Sequence, residues 1–114
     1  MSQTVDTFRT VAIILRFREE ESERFERLFT AEVYPLWEQF KAQGKFLAAS
    51  LTPVQDGSEI KEGARDYILH VELPGMDEHH EFDAQPPFLK FMEKARPLQP
   101  EEPKVWLGDT LFRV

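Results

Sequence analysis

The sequence predicts an α+β domain of order βαββαβ, with two helices over one face of a four-stranded antiparallel sheet. Three observations carry that expectation. Val11–Arg18 and Asp66–Leu73 are short runs dense in branched and aromatic residues, the signature of strands rather than of globular helices. Two longer stretches instead space their apolar residues by three and four, as helices with one buried stripe do. Proline and glycine pairs separate the segments, as turns require.

The first strand, Val11–Arg18, is apolar until Arg16, so it is expected at the sheet centre with both faces covered. Residues 19–43 then carry Phe25, Leu28, Phe29, Val33, Leu36, Trp37 and Phe40 on one stripe, with Glu19, Glu20 and Glu21 at the start and Gly44 after the end. Acidic residues suit the positive end of a helix dipole, and Gly suits a helix C-terminus. Pro35 falls inside the stripe, where it removes a backbone hydrogen bond and predicts a kink near residues 31–34. Phe46–Val54 reads as the second strand and Asp66–Leu73 as the third, joined by an exposed polar connection over 55–65. Pro86-Pro87 starts a short second helix through Phe88, Leu89, Phe91, Met92 and Ala95, which stops before Pro97. Lys104–Val114 supplies the last strand, with a break expected at Gly108-Asp109. This order is the ferredoxin-like topology, in which the first and third strands are central neighbours.

The 114 residues suffice for one hydrophobic core, so residues 1–114 are read as one domain, with 1–9 as a mobile N-terminal arm. No cysteine is present, which removes disulfides, thiolate metal sites and cysteine nucleophiles and fits a reducing compartment. A cytoplasmic location is expected, because residues 1–9 are polar and the longest apolar run, Val11–Leu15, is too short to span a bilayer. A net charge of −7 repels phosphate backbones, so nucleic acid is not an expected partner.

Helices on one face leave the other face bare. Val11, Ile13, Leu15 and Phe17 alternate with Ala12, Ile14, Arg16 and Arg18, while Tyr67, Leu69, Val71 and Leu73 alternate with Asp66, Ile68, His70 and Glu72. The wholly apolar sets should meet the helices. The mixed sets then form the open face, where Ala12, Ile14 and Ile68 make an apolar patch that a second copy would cover. Such a homodimer would enclose a cavity facing Arg16, His70, Glu72 and Trp106, a candidate site for a small apolar or aromatic molecule.

Strand 11–18, the long helix with Trp37, strand 67–71 and the passage from Phe82-Asp83 to Phe88 together resemble the dimeric α/β-barrel superfamily, most closely its antibiotic-biosynthesis-monooxygenase-like and stress-responsive members. The resemblance spans nearly the whole chain and implies a homodimer, with cofactor-independent oxygenase-type or proton-transfer chemistry as one outcome. A non-catalytic stress-type or interaction barrel is the other. The sequence contains no asparagine, so the pocket asparagine of the cofactor-free oxygenases and haem-degrading members has no counterpart in this chain.

His70 and Arg16 are the candidate catalytic pair, expected side by side on the open face, with His70 as general base or as a hydrogen-bonded seam residue. Arg16 suits a buried carboxylate or an anionic ligand. Glu78-His79-His80-Glu81-Phe82-Asp83 holds two of the three histidines. Neighbouring helical positions project about 100° apart, so His79 and His80 do not converge on one ion, and pairing either with Asp83 leaves too few ligands for a metal site. The segment is therefore expected to be a capped helix entrance, with Asp77 as N-cap and Asp83 as a cap before Pro86, that places one imidazole at a pocket wall. Neither a metal nor a cofactor is expected.

Overall fold

The computed structural model describes residues 8–114. The expected arm over 1–9 lies outside that range through residue 7, while Arg9 already belongs to the first strand. The order is β1 (Arg9–Arg18), α1 (Ser22–Leu28), a π-helical turn (Phe29–Val33), α2 (Tyr34–Ala42), β2 (Ala48–Pro53), β3 (Ala64–Leu73), α3 (Met76–Asp83), α4 (Pro86–Ala95) and β4 (Lys104–Asp109). The four strands form one antiparallel sheet in the order β2-β3-β1-β4. This is the ferredoxin-like arrangement, with the two most apolar strands at its centre.

The register sorts side chains as the alternation predicts. Val11, Leu15 and Phe17 on β1 and Tyr67, Val71 and Leu73 on β3 are buried against the helices. Phe25 stacks on Phe17 with ring centroids 4.0 Å apart, and Tyr67 lies 4.8 Å from Phe25. Phe91 of α4 sits 6.0 Å from Phe25, so one ring ties both helical layers to the sheet. The Tyr67 hydroxyl donates to the Glu26 carboxylate at 2.5 Å. Burial, and then that carboxylate, push the phenol well above its ordinary pKa.

Pro35 acts as expected, and its effect has a definite form. It has no N–H to give the carbonyl four residues back, and the preceding turn widens into a π-helix in which the Tyr34 N–H reaches Phe29 O. The helix closes at Gly44, whose φ of 74° is the left-handed conformation that suits glycine.

Two expectations are corrected. The histidine segment is a helix of its own, α3, whose N-cap is Gly75; Asp77 lies in its first turn, and Gln85 precedes α4 as its N-cap in place of Asp83. The last strand ends at Asp109, and Leu111 and Phe112 beyond it are exposed.

Phe25→Ala should lower stability by about 3–5 kcal/mol, because a large ring at the meeting point of both helical layers leaves a cavity; a urea midpoint unchanged from the parent would contradict this placement. Because the raised Tyr67 pKa belongs to the folded state, the unfolded chain loses its phenolic proton first, and stability should fall as pH rises above about 10. Tyr67→Phe should flatten that alkaline decline, measured as unfolding free energy against pH.

Candidate ligand pocket

On the open face, cross-strand partners place the polar groups in rows. His70 pairs with Ala12 on one side and Ser50 on the other, and Ala12 pairs with Trp106, so Ser50, His70, Ala12 and Trp106 cross the sheet in line. Glu72 occupies the next row with Thr10 and Ala48. Ile14 and Ile68 form the row on the opposite side of His70. Arg16 lies one row further, paired with Asp66.

The expected His70–Arg16 juxtaposition is therefore not formed. Four residue steps along the strand separate Ala12, which is beside His70, from Arg16, a span of about 13 Å. Arg16 is already engaged: Nε donates to Asp66 Oδ1 at 2.7 Å, Nη2 to Asp66 Oδ2 at 2.8 Å and to Glu59 O at 2.7 Å, and Nη1 to Glu101 Oε1 at 3.1 Å. The hydrogen bonds it donates to Asp66 lead the effects that hold the guanidinium above its ordinary pKa. Glu72 is likewise engaged, accepting from Arg113. Arg16 and Trp106 line a broad groove with Ile14, Ile68 and the 56–60 loop, and His70 does not line it.

A second cavity lies on the other side of the sheet, between strands and helices. It holds about 80 Å³ of space, opens to solvent on one side, and is walled by apolar residues, with His79 and Asp83 as its polar edge. Ile13, Leu69 and Val71 form its floor, Phe29, Val33 and Trp37 one wall, and Phe82, Phe88 and Phe91 another. Two of those residues, Phe29 and Val33, bound the π-helical turn, a local widening that recurs at functional sites. This apolar cavity faces the helices, on the side of the sheet opposite the groove that Arg16 and Trp106 line.

His79 is the sequence-predicted imidazole that reaches the cavity. Its Nε2 lies 2.9 Å from Asp83 Oδ2 across one helical turn, an ion pair when the ring is protonated. Its Nδ1 is buried without a hydrogen-bond partner. His80, 6.0 Å away ring to ring, lies outside the lining. Among the described residues no group of three or more histidines, aspartates or glutamates is arranged to hold a metal ion, and no helix is long and apolar enough to cross a membrane.

The spacing offered either His79 or His80 as the partner of Asp83 and did not locate the cavity. Its lining residues follow the same apolar stripes as the core, and only the backbone widening ahead of Pro35 hints that the packing is incomplete there.

The fold defines a class: a ferredoxin-like α+β domain of the kind seen in antibiotic-biosynthesis-monooxygenase-like and dimeric ferredoxin-like proteins. One solved structure, "Putative antibiotic biosynthesis monooxygenase from Nitrosomonas europaea", matches at 10% identity over 98% of this chain and 97% of its own, with a TM-score of 0.73. A putative antibiotic biosynthesis monooxygenase from Caulobacter crescentus matches at 18% identity over 94% and 92%, with a TM-score of 0.68. A dimeric ferredoxin-like protein from an uncultured marine organism matches at 13% identity over 95% and 91%, with a TM-score of 0.74. At these identities the likeness is one of fold. No protein-family model matches the sequence, and no curated protein does.

Asp66→Ala should destabilise the protein by about 1–3 kcal/mol, because it strips the half-buried Arg16 guanidinium of its two-point partner. The double variant Arg16→Met, Asp66→Ala should recover part of that loss in a denaturant titration, as removing both charges leaves none unpaired.

Proposed function

We propose that this chain is a homodimeric barrel subunit that binds a small, mostly apolar molecule in the cavity between its sheet and its helices, with His79 as the group able to exchange a proton with it. The observation that carries this reading is a cavity with apolar walls and one imidazole at its edge. That is the usual composition of a small-molecule site: hydrophobic lining with few placed polar groups. Imidazole is also the commonest general acid–base group.

Oxygenase-type or proton-transfer chemistry is the activity that fits such a site. The structural neighbours from Nitrosomonas and Caulobacter, both named as antibiotic biosynthesis monooxygenases, support the oxygenase branch by analogy of fold. Non-catalytic binding is the alternative, in which His79 serves recognition alone. Arg16 and His70, the pair first expected to be catalytic, take interface roles in this reading. Arg16 organises the 59–66 and 101 segments around its guanidinium, and His70 lies in the row between Ser50 and Ala12 that a second copy would cover.

The homodimer is supported by the exposed apolar surface of the open face. Ile68 and Trp106 are exposed, and Ile14 pairs with Ile68 on one side, one row from the Ala12–Trp106 pair. A second copy covering this face would remove it from water.

A solution mass of twice the chain mass at micromolar concentration is expected, and Ile14→Glu should shift it to the monomer; a monomeric parent protein overturns the dimer. Filling the cavity with Val33→Phe should weaken binding of a single-ring probe such as toluene at least tenfold, read by calorimetry. Binding unaffected by that change would place the ligand elsewhere.

A further inference from the structure

The segment that follows β4 is tied down, yet its two largest apolar side chains stand in water. The Thr110 N–H donates to Phe8 O at 2.8 Å, and the Thr10 and Thr110 hydroxyls lie 2.7 Å apart. Arg113 Nε donates to the Glu72 carboxylate, and its guanidinium sits 4.9 Å from the centre of the Phe8 ring. Thr10 and Glu72 share one row of the open face, so these contacts bind the segment to that end of the sheet. Leu111 and Phe112, between the anchors, are 87% and 92% exposed. Ordering a chain costs conformational entropy, and apolar groups held out in water mark a surface that another body covers.

The groove lined by Ile14, Arg16, Ile68 and Trp106 lies at the other end of the same face. It holds about 590 Å³, and roughly 150 Å³ suffices for benzene, so Leu111 and Phe112 fit together. Both features also belong to the β4 side of the sheet. Lys104 and Trp106, near the start of β4, wall the groove, whereas the anchored segment leaves the end of β4 at Asp109. A twofold axis between two facing sheets, at right angles to the strands, keeps β4 over β4 and reverses its direction. Start then meets end, and each copy brings Leu111 and Phe112 over the groove of the other. Midway between the Thr10 and Arg16 rows, that axis crosses the face between Ala12 and Ile14, at the apolar patch.

We propose, resting on the homodimer reading above, that the second copy seats its Leu111 and Phe112 in this groove, and that the contact is reciprocal. Charge favours this occupant. Asp56, Glu59, Glu101 and Glu102 border the groove, and the one charged side chain in residues 110–114 is that of Arg113. An acidic peptide or an anionic ligand is repelled there. Area points the same way: strands of ten, ten, six and six residues cover about 500 Å² at ordinary rise and spacing, short of the roughly 800 Å² each partner commits to a standard interface. A buried Phe contributes about 150–250 Å² more. In a twofold contact each copy supplies both the projecting residues and the groove, and aromatic side chains seated in pockets carry much of an interface's energy.

The chain has no cysteine, so single engineered thiols report the contact without background. When a Phe112→Cys chain is mixed with a Ser58→Cys chain, a short bismaleimide should link the two kinds of chain, and it should not link Phe112→Cys to itself. Phe112→Ala should weaken the dimer at least tenfold in sedimentation equilibrium, with circular dichroism unchanged. Linkage of Phe112→Cys to itself sets segment over segment, through an axis along the strands, and overturns the proposal. A Phe112→Ala dimer as tight as the parent overturns it too and leaves the groove to another occupant; if Ile14→Glu still dissociates the parent dimer, the open-face homodimer stands. A monomeric parent overturns both.

Discussion

The stack of Phe25 on Phe17, with Tyr67 and Phe91 at its edges, holds the two helical layers against the central strands. A helix on a sheet slides unless side chains interlock, and large rings with few rotamers interlock well. Everything beyond this cluster is placed by it. The long helix is held near its start, so the irregularity that Pro35 imposes appears one turn earlier, over the sheet. The cavity opens where that widened turn, α3 and α4 no longer close the gap over Ile13 and Leu69.

A sheet covered on one face creates two different surfaces with two different uses. The helix side is apolar nearly throughout and gains its one polar edge from α3. The open side alternates apolar and charged rows, and its strongest charge is neutralised within the chain by Asp66. Burying a charge is tolerable only when it is paired and hydrogen-bonded, and Arg16 meets that condition with four hydrogen bonds. It thereby ties the ends of two long connections to β1. A group so occupied is poorly suited to a changing ligand.

The element order, the central place of β1 and β3, the inward set from Val11 to Leu73 and the effect of Pro35 were all legible in the residues, because each depends on periodicity or on a backbone group that a residue possesses or lacks. The site was legible only in part. That a histidine of the 79–80 pair meets Asp83 follows from helical spacing, but which one does, the cavity beneath the helices and the separation of His70 from Arg16 do not. The latter depends on register: one strand step moves each cross-strand partner by a residue and flips its face. Asp77 and Asp83 looked like caps because their type favours that place, yet Gly75 and Gln85 hold it.

Composition and pattern by themselves determined an α+β chain of ferredoxin-like order with one apolar face and one mixed face, since local spacing decides which side chains share a surface. Tertiary structure decided which imidazole reaches an apolar cavity, which arginine is already neutralised, and where packing leaves space. Those outcomes depend on small mismatches between elements distant in sequence, and a gap of about 80 Å³ between a widened helical turn and a sheet leaves no mark on either segment alone.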